Sequence, residues 1–217
     1  MVDLGCNNLS VDEAMQTLQL VYSEINKVSD TLIGVRNNGE LGFYCPKTGV
    51  LLSSRSTKAS ILGRNTYGVL SRTGGYYKDG YFVFTDAKIY LVECNKTLEF
   101  MGDVKIFEAP LTDYKYLIIK NNTNYSVVNA ITGETVEEMG DCVVQKHFDL
   151  DNPTGIVVTI TCAGCIYAIT RDGGFDEVPN ILSKFNPVIT RKGKGKQYKF
   201  KTSSGEEVKV NELGQRY

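Results

Sequence analysis

The chain of 217 residues contains no tryptophan and only one histidine. A single imidazole excludes a metal cluster built on histidines and any catalytic pair of them. No serine lies in the nucleophile-elbow motif of a hydrolase. The sequence therefore predicts a protein that is not an enzyme and that uses no cofactor and no metal. His147 itself falls in a run over Val143–Leu150 that predicts a strand, so we interpret it as structural.

The sequence also lacks long apolar runs and any excess of one charge. No stretch approaches the ~20 apolar residues that a membrane helix needs, and the net charge is −1. The first ten residues show no basic region followed by an apolar one, so no signal peptide is predicted. We expect a protein of the cytoplasm or of an intracellular assembly, a virion included, with no membrane partner.

Six cysteines are scattered through a chain too long to need a disulfide scaffold. We interpret them as reduced thiols that are buried as small hydrophobic residues. They are Cys6, Cys45, Cys94, Cys142, Cys162 and Cys165. Only Cys162-Ala163-Gly164-Cys165 has a motif with chemical meaning, but the flanking residues predict strands rather than the helix of a redox site. A zinc site would need a second pair, so the motif predicts a hairpin turn.

The amino-terminal region predicts a helix. Ser10 and Glu13 form a capping-box motif, and apolar residues then recur at spacings of four and three, as in a heptad seam. The seam contains Ala14, Leu18, Val21, Ile25, Val28 and Leu32. This pattern predicts a helical arm over residues 1–30. Either the seam packs on the chain's own β domain, or the arm docks into a partner or a second copy; the docking residues would be Leu18, Val21, Ile25 and Val28.

The rest of the chain predicts short strands joined by turns. Tyr116–Met139 divides into three strands with turns at Asn121-Asn122 and Thr132-Gly133. Four further segments repeat this layout, over residues 31–52, 81–101, 156–178 and 188–210. In the copy over residues 81–101, the predicted strands are Tyr81–Phe84, Lys88–Glu93 and Leu98–Met101. The repeat averages about 39 residues, close to the length of a propeller blade.

In this rhythm of strand, turn, strand, Thr/Ser-Gly turn and strand, the chain resembles β-propeller proteins over about residues 31–213. It contains no Trp-Asp dipeptide and no Kelch-type double-glycine rhythm. The fold class predicted is all-β with one N-terminal helix, in antiparallel short-stranded repeats, as a propeller of about five blades. An irregular β-sandwich or a meander stays open. The predicted domains are the arm over residues 1–30 and a β-repeat domain over residues 31–217.

The last repeat is strongly basic. Residues 184–201 carry seven lysines and arginines and no acid, a local charge of +7. Such a stretch favours a phosphate-rich or acidic partner, although lysines also protect an exposed sheet edge from pairing. The candidate residues for polyanion binding are Arg191, Lys192, Lys194, Lys196 and Lys199.

We predict a non-enzymatic structural protein, a β-repeat scaffold that assembles with other chains through its N-terminal helix and its loop faces. Self-association and membership of a large assembly, such as a phage or viral particle, are part of this prediction. One alternative is a ligand-binding or enzymatic propeller with its site at the mouth of the repeats. Another is a nucleic-acid-associated protein that uses the basic hairpin.

Overall fold

The computed structural model describes residues 9–55, 59–193 and 195–217, and the side chain of Lys192 also lies outside this description. The chain forms two compact units. Of the described residues, those within 9–108 and 117–138 belong to unit 1, and those within 109–116 and 139–217 belong to unit 2. No helix within the described ranges has the length and apolar character to cross a membrane.

The described chain is mostly β. Its two helices are α1 (Val11–Leu18) and α2 (Val178–Ser183), with one 3-10 turn at Pro110–Thr112. The strands are β1 (Glu24–Lys27), β2 (Ile33–Asn37), β3 (Glu40–Tyr44), β4 (Leu51–Arg55), β5 (Ser60–Gly63), β6 (Tyr67–Ser71), β7 (Gly75–Lys78), β8 (Tyr81–Leu91), β9 (Lys96–Glu108), β10 (Tyr116–Asn121), β11 (Asn124–Asn129), β12 (Thr135–Met139), β13 (Cys142–Lys146), β14 (Ile156–Cys162), β15 (Cys165–Thr170), β16 (Phe175–Glu177), β17 (Val188–Lys192), β18 (Gly195–Lys201) and β19 (Glu207–Val210).

These strands form four antiparallel sheets. Sheet A has the order β1-β2-β3-β4, sheet C the order β13-β14-β15-β16, and sheet D the order β17-β18-β19. Sheet B has the order β12-β11-β10-β9-β8-β6-β5, with β7 also paired to β8. Neighbours in a sheet are mostly consecutive in the chain, as in the meander of a propeller blade. The prediction of an all-β fold of short antiparallel strands is confirmed.

Helix α1 begins as predicted but ends much earlier. Ser10 Oγ accepts from the Glu13 amide at 3.3 Å, and Glu13 Oε2 accepts from the Ser10 amide at 2.9 Å. The helix stops at Leu18, and the backbone then turns so that the amide of Ser23 donates to Arg36 O at 3.1 Å. The prediction of a helix to residue 30 is therefore wrong, because pairing with β2 satisfies the backbone of residues 24–27 better than an isolated helical extension does.

The central strands of sheet A, β2 and β3, are buried on both faces. On one face, Ile33 and Tyr44 are cross-strand partners that pack with Ala14 and Leu18 of α1. On the other face, Phe43 packs in a cluster with Leu70 and Tyr90 of sheet B and with Val92, which follows β8. Helix α1 is therefore an integral part of unit 1, and the predicted separation of a helical arm from the β domain is not observed.

The second predicted repeat differs from the others. Tyr81–Phe84 and Lys88–Glu93 were expected to be separate strands, but β8 runs through residues 81–91, with the register shifting between Thr85 and Ala87. Asp86 adopts a left-handed conformation with φ of 51°, and its carboxylate accepts from the amide of Gly102 at 2.8 Å. A residue that breaks the sequence pattern can thus form a β-bulge instead of a turn. The other four repeats contain the predicted three-stranded meanders.

Sheets C and D share one core within unit 2. Tyr198, Phe200, Val208 and Val210 of sheet D pack with Ile156 and Ala168 of sheet C and with α2. Helix α2 was not predicted, although Pro179 in its first turn and the apolar pair Ile181 and Leu182 are typical of a short helix. The other face of sheet D carries charged side chains, so this sheet is buried on one side only.

Candidate interaction surface

Strand β17 is an edge of sheet D. Within the part of the chain that the structure describes, it pairs with β18 alone. Alternate backbone N–H and C=O groups of β17 therefore point away from the sheet. Val188 and Ile189 are 63% and 57% exposed on opposite faces of the strand. Outward backbone groups beside exposed β-branched side chains are suited to an extended segment that adds a strand.

The chain before β17 holds this edge in place. Helix α2 is followed by Asn186 with φ of 49° and by Pro187, whose ring restricts the entry into the strand. The ring of Phe185 stacks on the ring of Phe200 in β18, with centroids 4.7 Å apart. The segment that enters β17 is thereby anchored to the buried face of sheet D.

Two of the predicted polyanion-binding residues lie together beside this edge. Arg191 of β17 is the cross-strand partner of Lys196 of β18, and both are exposed. Like charges directly opposite each other are destabilising, so this pair favours a nearby anion. Lys192 is the last residue of β17, but its side chain is not described, and Lys194 lies outside the described residues.

Lys199 belongs to the opposite face of sheet D. Its ammonium group lies 2.8 Å from Glu207 Oε2, and Lys209 approaches the same carboxylate at 3.9 Å. The hydrogen bond from Lys199 lowers the pKa of Glu207 from its ordinary value. The structure thus divides the basic residues between two faces and gives Lys199 an acidic neighbour. The sequence predicts that these basic residues bind a polyanion together, but the structure does not place Arg191 and Lys199 on one surface.

The predicted docking residues of the N-terminal region do not share a helix face. Leu18 is 1% exposed in the core under sheet A, and Val21 follows the helix in a turn and is partly exposed. Ile25 lies on β1 opposite Val35, and Val28 packs against the cluster between sheets A and B. The helical placement of Val21, Ile25 and Val28 is wrong, whereas docking of this region into a partner stays a prediction.

His147 lies just after β13, not inside the strand predicted over Val143–Leu150, and it is buried. Its Nε2 is 2.8 Å from Thr159 Oγ1, and its Nδ1 is 3.1 Å from Gln215 Nε2. Gln215 Oε1 accepts from Asn211, and the Nε2 group of Gln215 can only donate, so His147 Nδ1 is the acceptor and Nε2–H donates to Thr159. Burial lowers the pKa of His147 from its ordinary value. Both ring nitrogens have structural partners, which supports the interpretation of this histidine as structural.

The Cys162–Cys165 motif forms the predicted hairpin turn. The two cysteines are cross-strand partners at the ends of β14 and β15, and Gly164 between them has φ of 91°. All five described cysteines are reduced, and Cys45 and Cys142 are buried. The prediction of burial is wrong for Cys94, Cys162 and Cys165, which are half-buried, and Cys6 lies outside the described residues.

A cleft of about 700 Å³ lies within unit 2 between the loop over residues 150–155, the loop over residues 170–176 and the end of α2. Its volume is within the range of small-molecule sites. Two of its acids are used by the turns that form it: Asp172 accepts from Thr170 Oγ1, and Asp176 accepts from Asn180 Nδ2 at 2.9 Å. The hydrogen bond from Thr170 lowers the pKa of Asp172.

The described residues contain no group of three or more His, Cys, Asp or Glu side chains arranged to hold a metal ion. The sequence had suggested none, apart from the single Cys-X-X-Cys motif. The surface that sequence reasoning missed is the apolar start of β17. Its signal is the adjacent pair Val188-Ile189, because neighbouring residues of a strand point to opposite faces and a sheet with one buried face can cover only one of them.

No protein-family model matches the chain, and no curated protein matches it. Among solved structures, a eukaryotic initiation factor is similar over 90% of this chain and 54% of its own, with 10% identity and a TM-score of 0.36. The chain thus spans about half the length of that structure. Kluyvelomyces marxianus Hsv2 is similar over 86% of this chain and 82% of its own, with 8% identity and a TM-score of 0.27.

The CNH domain of AfRom2 is similar over 88% of this chain and 80% of its own, with 10% identity and a TM-score of 0.21. Likenesses at these TM-scores and identities assign no function to the chain. The functional argument therefore depends on the residues of its own surface.

Proposed function

We propose that this chain is a non-enzymatic protein-interaction scaffold that binds an extended, acidic segment of a partner protein at the edge of β17. The partner segment would add a fourth strand to sheet D, next to Val188–Lys192. The observation that carries the proposal is the exposed edge itself, with its outward backbone groups, its two exposed β-branched side chains and its basic end.

The backbone groups, the apolar pair and the basic pair of this edge each favour a different property of the ligand. The backbone groups select an extended chain, because strand addition needs a main chain that can donate and accept at the spacing of a strand. Val188 and Ile189 point to opposite faces of the strand, so they favour apolar side chains at two adjacent positions of the partner segment, one on each face. Arg191 and Lys196 lie directly opposite each other at the far end of the strand, so acidic side chains there would relieve their repulsion.

An acidic peptide fits this surface better than a nucleic acid or a second copy. Tight binding of a nucleic acid needs several cationic groups along one track, whereas the structure separates Lys199 from Arg191 by placing them on opposite faces. A second copy of the same edge would bring its own positive charges. Assembly into a larger particle and docking through the N-terminal region stay predictions, and they are compatible with this binding mode.

The test is fluorescence anisotropy of the full chain with a labelled eight-residue peptide of four glutamates followed by four valines, the order that places acids against Arg191 and apolar side chains against Val188 and Ile189 in an antiparallel pairing. We expect saturable binding, with a Kd raised about tenfold by Arg191→Glu, which corresponds to about 1.4 kcal/mol. The matched control is Lys209→Glu, which reverses an exposed charge on the other face of the same sheet. We expect that variant to change the Kd less than twofold.

Three further probes separate the sources of binding. A valine–lysine peptide tests the charge, the valine–glutamate peptide methylated on alternate amide nitrogens tests the backbone pairing, and a single-stranded DNA oligonucleotide tests general polyanion binding. All three should bind at least tenfold more weakly than the acidic peptide. Equal binding of the N-methylated peptide, or preferred binding of the DNA, would contradict strand addition by an acidic segment.

A further inference from the structure

Three cysteines lie side by side across sheet C. Cys142 at the start of β13 is the cross-strand partner of Cys162 at the end of β14. Cys162 is in turn the partner of Cys165 at the start of β15. Cross-strand partners in an antiparallel sheet have their side chains on the same face, with Cβ atoms about 4.5–5.5 Å apart. The three thiols therefore form one row, with Cys162 in the middle.

The spacing of this row is close to that of a disulfide. A disulfide needs Cα atoms about 4.4–6.8 Å apart, and directly opposite residues lie about 4.5 or 5.5 Å apart, depending on whether the pair is hydrogen-bonded. Cys162 and Cys165 are the first and fourth residues of the turn through Ala163 and Gly164. A β-turn hydrogen bond joins these two positions, so Cys162 and Cys165 are a hydrogen-bonded pair. The backbone N–H and C=O of Cys162 then point to β15. Its pair with Cys142 on β13 is therefore not hydrogen-bonded, and the side chains of such a pair lie closer together.

Access to the row differs along its length. Cys162 and Cys165 are half-buried, so a small oxidant reaches them, whereas Cys142 is 8% exposed and its Sγ lies 3.1 Å from Gly140 O. The accessible middle thiol thus has a neighbouring thiol on each side. Because Cys162 is common to both pairs, only one of the two disulfides can form at a time.

We propose that Cys142, Cys162 and Cys165 form a peroxide-reactive site in which Cys162 is oxidised first and Cys142 resolves it to a disulfide. The Cys162 thiol loses its proton and its sulfur attacks hydrogen peroxide, so that an S–O bond forms, the O–O bond breaks, and the leaving hydroxide takes up that proton as water. The Cys142 thiol then loses its proton and its sulfur attacks the sulfenic sulfur, so that the S–S bond forms, the S–O bond breaks, and the leaving hydroxide takes up that proton as a second water. The two thiols lose two electrons, and peroxide is reduced to two waters.

The product would tie the edge strand β13 covalently to β14. Cys165 remains a thiol next to the new disulfide, at the position from which it can attack Cys162 and release Cys142. Exchange of one disulfide for the other would then need only a small approach of neighbouring strands, since a disulfide has its Cβ atoms about 3.5–4.5 Å apart. This inference depends only on sheet C and is independent of peptide binding at β17.

The experiment treats the reduced full chain with hydrogen peroxide, blocks the remaining thiols by alkylation and maps the linked peptides by mass spectrometry. We expect a Cys142–Cys162 link in the native sequence. Cys142→Ser should divert the link to Cys162–Cys165, and Cys165→Ser should leave the Cys142–Cys162 link unchanged. Cys162→Ser should abolish both, because Cys142 and Cys165 are two strands apart.

Cys162→Ala serves in place of the serine variant if circular dichroism shows that the latter does not fold. Trapping with dimedone should label Cys162 in the double variant Cys142→Ser and Cys165→Ser, where no resolving thiol remains. The proposal is overturned if peroxide leaves the three thiols open to alkylation in the native chain, or if a Cys142–Cys165 link forms in the Cys162 variants at the native yield.

Discussion

Sheets A and D are both antiparallel meanders, but they use their surfaces in opposite ways. Sheet A packs one face on helix α1 and the other on sheet B, and Phe43 and Ile33 point to these two cores. Sheet D buries Tyr198 and Phe200 on one face, while Lys199 and Glu207 occupy the other. A sheet with two covered faces serves stability, whereas a sheet with one free face and an exposed edge is available for binding.

The largest effect should come from truncation of the two-sided core of sheet A. Phe43 is 1% exposed, and Phe43→Ala should lower the free energy of unfolding by about 3–5 kcal/mol, because it removes buried apolar area and leaves a cavity. The matched truncation in sheet D, Ile189→Ala, should change it by less than about 0.5 kcal/mol, since this side chain is exposed. Urea denaturation followed by circular dichroism measures both. Similar losses for the two variants would show that β17 is covered in solution.

A smaller effect should come from adding one methyl group to a strand glycine of each sheet. A Cβ at Gly42 in β3 would lie 2.2 Å from the backbone oxygen of Leu52 in β4, so Gly42→Ala should cost about 1–3 kcal/mol through displacement of the strands. A Cβ at Gly195 in β18 would meet no atom within 4 Å. Gly195→Ala should therefore stabilise the protein by about 0.4–1 kcal/mol, because it restricts the unfolded chain.

Thermal unfolding at one pH distinguishes these two glycine variants. If both variants lowered the Tm equally, the close contact of Gly42 with Leu52 would not explain the loss of stability in Gly42→Ala.

The smallest effect concerns the outer edge of sheet D, where the C-terminal segment takes the place of a full strand. Val210 forms a bridge to Arg216, and Gln215 donates to His147. Since the pKa of His147 is lowered in the folded chain, the unfolded chain binds the proton first, at its ordinary pKa of about 6.5. The stability contributed by the neutral histidine is present above pH 6.5 and is lost as the pH falls through 6.5 to the lowered value.

The free energy of unfolding of the native chain should therefore decrease between pH 7.5 and pH 5.5. His147→Gln should flatten this dependence, because the chain has no other histidine. Urea denaturation at a series of pH values measures the slope. An equal slope in the variant would assign the dependence to the carboxylates instead.

Much of this architecture was predictable from local patterns. The capping box of Ser10 and Glu13, the turn at Gly164 and four of the five meanders follow from residue types whose preferences are satisfied within a few positions. The failures occurred where a pattern fits two structures. Val21, Ile25 and Val28 continue a heptad spacing, yet pairing with β2 places Ile25 on a strand. Asp86 interrupts an apolar run as a turn residue would, yet it forms a bulge within β8.

The candidate site was predictable only in part. The sequence pointed to the basic last repeat, but it treated Arg191 and Lys199 as members of one set. Strand alternation divides them, because the side chains of β18 point in turn to the core and to solvent. The exposed pair Val188-Ile189 was missed because apolar residues in a predicted strand are normally assigned to the core.

The sequence by itself determined the β class, the antiparallel hairpins, the start of helix α1 and the concentration of positive charge in the last repeat, since each depends on residues close together in the chain. Only the tertiary structure decided which face and which edge each strand exposes. It buried Leu18 under sheet A, aligned Cys142 with Cys162 and Cys165, and left the edge of β17 exposed. These outcomes depend on pairing and packing between residues far apart in the chain, and no local preference specifies them.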